Sequence, residues 1–183
     1  MTGDAANTAQ WAHADVFVAS LGAAPPTDVT TAWGVAWEAV GLLDGDQGFT
    51  EQRSDDSNEK YAWGGLLVRR TKFKHKRQIK FVCLEDNDVT FGLLNPGSTR
   101  TEDSPTVGIT QSVIKVPQQE RIALGFEVRD GSVVRRRLVK NAEVVDIADV
   151  KDSESDVTAY EVTVVIYPEA DGTLYTDLIG AVA

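Results

Sequence analysis

Apolar residues along the chain fall into short runs broken by polar turns, a spacing that predicts strands far more than helices. "DVFVAS" (15–20) is β-rich and is stopped by "LGAAPPTD". "GLLVRR" (65–70) runs through a basic stretch into "IKFVCLE". "RIALGFEVRDGSVVRRRLVK" (121–140) reads as two extended runs around Asp130-Gly131, a strong hairpin signal because such turns need residues that tolerate positive φ. "AEVVDIADV" (142–150) predicts another strand, and "VTAYEVTVVIYP" (157–168) is rich in Val, Ile, Thr and Tyr. Asp171-Gly172 then turns the chain into "TLYTDLIGAV".

Helical periodicity is scarce. "TTAWGVAWEAVG" places Trp33, Trp37 and Val40 at helical spacing with Gly41 as a stop, which predicts two or three turns at most. "NDVTFGLLNPG" predicts one short helix, capped by Asn87 or Asp88 and ended before Asn95-Pro96-Gly97. Residues 44–60 and 95–106 are polar, charged and without periodicity, so both are expected as loops. With about eight to ten short strands and minor helix, the expected class is mainly β, a sandwich or barrel. No domain boundary or repeat interrupts the 183 residues, which suit one domain with residues 1–14 as an N-terminal arm.

Charge changes this picture. Net charge is −10, yet "RRTKFKHKRQIK" (69–80) holds seven of the eighteen Lys and Arg and no acid. Outside that stretch 28 acids face 11 bases, a balance that repels DNA at long range. The opening decapeptide lacks a basic region and an apolar core, so it is not read as a signal peptide, and no apolar run is long enough to span a membrane. The single cysteine, Cys83, has no internal disulfide partner, which fits a reducing compartment or a particle assembled in the cytosol.

Candidate chemistry is thin. His13 and His75 have no second histidine at metal-ligand spacing, so no metal or other cofactor is expected. "DGDQG" (44–48) has part of a calcium loop but lacks the oxygen ligand at the fifth place and the glutamate at the twelfth, where Asp55 stands. No nucleophile elbow, phosphate-binding loop or dinucleotide fingerprint occurs, and no catalytic residue is assigned. Trp11, Trp33, Trp37 and Trp63 suit packing better than a carbohydrate platform.

The basic stretch itself is best read as a strand. At period two, one face of 72–84 carries Phe73, His75, Arg77, Ile79, Phe81 and Cys83, and the other carries Lys72, Lys74, Lys76, Gln78, Lys80, Val82 and Leu84. From Ile79 onward both faces are apolar and should be buried, whereas the first half must meet water or acids. A strand this long is expected to project beyond the body of the domain. Its lysines either protect a solvated edge or face an acidic surface on another copy, for which Glu51, Asp55, Asp56 and Glu59 are candidates.

The order of features resembles one family. "DVFVASLGAAPPTDVTTAWGVAWEAVGLLDGDQGF", an acidic spacer, "KYAWGG", and a long charged strand ending "FVCLEDN" are similar to the major tail protein, or tail tube protein, of long-tailed bacteriophages. The matching positions are Val16 to Asp28, Val40 to Gly48, Ala62 to Gly65 and Phe81 to Asn87, with the C-terminal hairpins matching as a pattern. "LLDGDQG" departs from the family pattern, where an aromatic residue or glutamate is common. The resemblance implies a single tail tube domain over residues 1–183, a β-sandwich subunit with one helix. Subunits would form hexameric rings that stack head to tail into a hollow tube, carrying DNA from capsid to host without specific binding.

Implied partners are the chain itself, the tape-measure protein inside the tube and the proteins that cap its ends, with no membrane; the implied location is the virion tail, assembled in the host cytoplasm. On that basis Lys72, Lys74, Lys76 and Lys80 are expected at inter-subunit or inter-ring contacts, with Asp55, Asp56 and Glu59 as their partners. Trp63, Gly64 and Gly65 are expected as a turn or close backbone contact, and Glu127, Asp130 and Glu161 as lumen or ring-face acids. The alternative is a monomeric β-sandwich binding module, carbohydrate-binding or capsid-decorating.

Overall fold

The computed structural model describes residues 3–4, 7–103 and 108–182, and among them it is mainly β, with one helix. In chain order the elements are β1 (His13–Ser20), β2 (Glu38–Ala39), β3 (Thr50–Tyr61), β4 (Leu67–Cys83), α1 (Asp88–Leu94), β5 (Thr99–Asp103), β6 (Ile109–Val113), β7 (Ile122–Asp130), β8 (Val133–Ile147), β9 (Tyr160–Ile166) and β10 (Thr176–Ala181). The main sheet runs β2-β1-β7-β8-β9-β4-β3, with β10 also paired to β8, and the pairings are antiparallel.

Alternation along the strands curls this sheet around one core. Val16 on β1, Leu124 and Phe126 on β7, Val139 on β8, Val162 and Val164 on β9, and Ile79, Phe81 and Cys83 on β4 all point into it and are buried. Residues 40–44 close the curl. Val40 donates to the Val16 carbonyl at 3.0 Å, Leu84 donates to Leu42 at 2.8 Å, and Asp44 donates to Val82 at 3.0 Å. Residues 40–44 thus cross from the edge of β1 to the edge of β4 and cover part of each.

A second, smaller apolar layer covers the outside of β1 and β7. There Trp33 stacks on Phe17 at 4.4 Å and lies 5.0 Å from Trp37, with Ala19 and Ala123 beneath. A Cβ at Gly125 would meet the Trp33 ring at 2.1 Å, so only glycine admits the indole this close to β7.

Several expectations hold. Asn87 caps α1, its side chain accepting from the Thr90 amide, and the helix ends before Asn95. Gly131, at φ 57°, turns β7 into β8 in register Asp130↔Val133, and Gly172, at φ 87°, turns the chain toward β10.

Others are corrected. Residues 28–37 form bends and turns rather than a helix, and 38–39 form β2; Gly34 and the β-branched residues disfavour the helix. Residues 142–147 belong to β8 itself, because a register shift between the Ile122 and Leu124 pairings inserts a bulge that resets the alternation. The expected loop 44–60 holds all but the last residue of the twelve-residue β3, and the expected loop 95–106 contains β5, paired with β6; residues 104–106 of that expectation lie outside the described residues. The expected arm 1–14 docks on its own chain from Gln10, whose amide donates to Asp130, and Arg135 lies over the Trp11 ring at 4.6 Å; positions 1, 2, 5 and 6 lie outside the described residues.

Candidate functional site

β3 and β4 leave the barrel as a two-stranded ribbon. β4 pairs with β9 only over Arg77–Cys83, whereas its pairing with β3 continues out to Leu67. Every residue of β4 from Leu67 to Lys76 is exposed, and so is every residue of β3 from Gln52 outward. At roughly 3.3 Å per residue the ribbon reaches about 30 Å beyond Arg77. The inner end of β4 behaves as its sequence predicts, with Ile79, Phe81, Val82 and Cys83 buried.

Across the ribbon, Lys72 and Lys74 meet candidate acids of their own chain, while Lys76 makes no ion pair among the described residues. Lys72 lies 3.4 Å from Asp55, Lys74 lies 3.1 Å from Asp56, and Arg70 lies 3.3 Å from Glu59. Lys80, near the barrel, pairs with Glu161 of β9 at 2.8 Å. The ribbon pairs are exposed and screened by solvent, so each contributes little to stability. The three ribbon pairs link β3 to β4 and do not tie the ribbon to the body, whereas Lys80–Glu161 joins β4 to β9.

The simple two-face alternation of 72–84 breaks at Lys74, the one described non-glycine residue with positive φ, at 54°. Pairing shifts between Ser54↔Lys76 and Asp56↔Phe73, so β4 carries one extra residue there. The bulge brings Lys72 and His75 to the same carboxylate, Asp55, with His75 Nδ1 2.5 Å from it. That hydrogen bond, with the Lys72 contact, holds the Asp55 carboxyl below its ordinary value.

The chain reverses between β3 and β4 over residues 62–66. The Ala62 amide donates to Leu66 at 2.8 Å, Gly65 donates to Ala62 at 3.1 Å, and Gly64 and Gly65 adopt φ of 90° and 84°. The positive φ is what demands glycine, since a Cβ at either position would meet nothing within 4 Å.

A cluster that the sequence did not single out fixes the root of the ribbon. Glu51 receives Arg137 at 2.6 Å, Arg53 at 3.0 Å and Arg77 at 3.3 Å. Arg137 is also held by both carboxylate oxygens of Asp177 on β10 at 2.8 Å and lies 4.1 Å above the Tyr175 ring. Burial pushes the Glu51 carboxyl up, but the Arg53 hydrogen bond and the charges of Arg137, Arg53 and Arg77 outweigh it and hold it below its ordinary value. Glu51, one of the candidates for an acidic surface facing another copy, is held within its own chain. The signal for its actual role is the alternation of "RRR" at 135–137, which sends Arg137 and Arg136 to opposite faces of β8.

The expected lumen or ring-face acids separate into different environments. Glu127 is buried, which corrects its surface assignment: it lies beneath Trp33 and accepts from the indole at 2.9 Å, from Arg136 at 2.7 Å, and from Arg129. Arg136 continues to the Asp28 and Thr31 carbonyls at 2.8 and 2.6 Å, so this network pins the 28–33 loop over β7. Asp130 sits at the β7–β8 turn and Glu161 on β9, both partly exposed. Among the described residues no cluster of His, Cys, Asp and Glu is arranged to hold a metal, and no helix is long and apolar enough to cross a membrane.

A family model described as "Phage tail tube protein" matches residues 1–180. Among solved structures, a chain of the sheath–tube complex of an extracellular contractile injection system in its extended state is similar, at 12% identity and TM-score 0.51, over 97% of this chain and 95% of that one. A chain of the sheath/tube terminator of such a system follows at 13% identity and TM-score 0.47, over 91% and 93%. The cap that terminates the tube of the anti-feeding prophage follows at 10% identity and TM-score 0.46, over 90% and 88%. No curated protein matches. The sheath–tube likeness is one of fold, and it accords with the curled sheet described above. The family match, spanning nearly the whole chain, places it: this chain belongs to the phage tail tube protein family and is a structural component of the virion tail.

Proposed function

We propose that the chain polymerises as hexameric rings stacked head to tail into the tail tube, and that DNA passes through the resulting conduit from capsid to host. The observation that carries this is the ribbon. An isolated two-stranded hairpin is marginal in water, and this one exposes both faces over about 30 Å with only surface ion pairs along it. A second copy against it supplies the missing burial. Head-to-tail contacts are heterologous, so one face must offer what the other accepts, and a basic ribbon on a chain of net charge −10 meets that need.

The conduit acts passively, with no chemical step. DNA carries about one charge per ~1.7 Å of axis. Acidic walls repel it within a Debye length of roughly 8 Å, so it slides without adhering. Asp130 and Glu161 are the acids proposed for the lumen or a ring face, and Lys72, Lys74, Lys76 and Lys80 for the contacts between copies. The tape-measure protein and the proteins that close the tube ends are the further partners. Lys72→Glu combined with Lys76→Glu tests the charged contact: the monomer should remain folded while polymerisation stops. Tubes assembling as in the wild type would remove charge pairing from the account.

A further inference from the structure

We propose that the apolar tip of one copy's ribbon seats in an acid-rimmed groove beside α1 of a second copy. The inference rests on the tube reading above and supplies the acceptor that the ribbon's tip lacks. At the tip Trp63 is fully exposed, and Leu66, Leu67 and Val68 beside it are 72%, 47% and 66% exposed. Two hydrogen bonds, Ala62 to Leu66 and Gly65 to Ala62, close the turn that presents Trp63.

Just behind the tip, Lys60 and Arg69 stand directly opposite each other, and neither makes an ion pair among the described residues. Like charges at that position oppose strand pairing unless something neutralises them. The tip is therefore an aromatic anchor backed by two uncompensated cations.

The barrel carries the complementary shape. A groove of about 390 Å³ opens between α1 and the neighbouring strands, within the size range that encloses a small ligand or a large side chain. Val35, Val89 and Ile122 line it, Glu38, Asp88 and Glu120 rim it, and none of its lining residues is basic. Glu38 and Glu120 make no ion pair among the described residues, and Asp88 has only a 3.9 Å approach to Arg100. An indole entering this groove brings Lys60 and Arg69 toward the three carboxylates. Charge then selects the groove, and apolar burial holds the tip. The ribbon carries its own tip about 30 Å past Arg77, so the occupant is a second copy.

The test uses the full chain. Trp63→Ala removes the anchor, and Gly92→Trp fills the groove from the α1 side, where an added Cβ meets nothing within 4 Å. Each should leave the circular dichroism of the monomer unchanged and raise the critical concentration for sedimentable polymer at least about tenfold. A mixture of Leu66→Cys chains and Gly92→Cys chains, oxidised during assembly, should yield an intermolecular disulfide that neither forms alone. If the wild type gives rods while Trp63→Ala and Gly92→Trp both assemble at its concentration and the mixture stays uncross-linked, the groove assignment falls and the tube reading stands. If the wild type never polymerises, both fall.

Discussion

Phe81 of β4 and Phe126 of β7 meet edge to face at 5.7 Å although β8 and β9 stand between their strands in the sheet. A flat sheet would hold them well over 10 Å apart, since adjacent strands are about 4.8 Å apart. Their contact is therefore the mark of the curl, and Phe49 completes the group at 5.2 Å from Phe126. Phe126→Ala should destabilise the monomer by about 3–5 kcal/mol in urea unfolding. An unchanged midpoint would mean that the barrel is not closed around this ring.

The outer network offers a second test. Glu127→Ala strands Arg136 in a buried site and should cost about 3–5 kcal/mol, with the 28–33 loop losing hydrogen-exchange protection at the same time. The double variant Glu127→Leu with Arg136→Met should cost less than Glu127→Ala alone, because no unpaired buried charge is left.

The same carboxyl predicts a pH dependence. Burial pushes Glu127 up, but hydrogen bonds from Trp33, Arg129 and Arg136 and the Arg136 charge outweigh that and hold it below its ordinary 4.5. Its stabilising contribution is thus fully present above about pH 4.5 and is lost as pH falls through the lower folded value. Glu127→Gln should flatten the acid limb of a stability–pH curve relative to the wild type; parallel limbs would contradict this.

Cys83 should behave as a packing residue. Burial pushes its thiol up to about 11, with a hydrogen bond to Thr90 opposing only part of that. The folded chain at pH 8 should alkylate about a hundredfold or more slowly than the unfolded chain, from the loss of thiolate and of access together. Equal rates would show that the inner end of β4 opens readily.

How much of this was legible in the sequence depended on where each segment finds its partners. Asn87 and Gly131 announce themselves because a helix cap and a positive-φ turn are local requirements. The alternation of β1 and β7 shows the core face for the same reason. The sequence of β3 does not read as a strand because "TEQRSDDSNEKY" has no apolar face to bury, and its strand conformation is imposed by pairing with β4.

Trp33 and Trp37 kept their expected proximity without the expected helix, since packing against Phe17 and Gly125 places them. At the site, the long basic strand and the Trp63-Gly64-Gly65 turn were visible. The clamp of Glu51, Arg137 and Asp177 was not, because it joins three strands far apart in the chain.

The central claim is that copies of this chain build a tube through the ribbon, and electron microscopy of the purified protein across a concentration and salt series tests it most directly. Rings and rods with an open bore, absent in the Lys72→Glu with Lys76→Glu variant, are the predicted result. Isolated particles under every condition would contradict it.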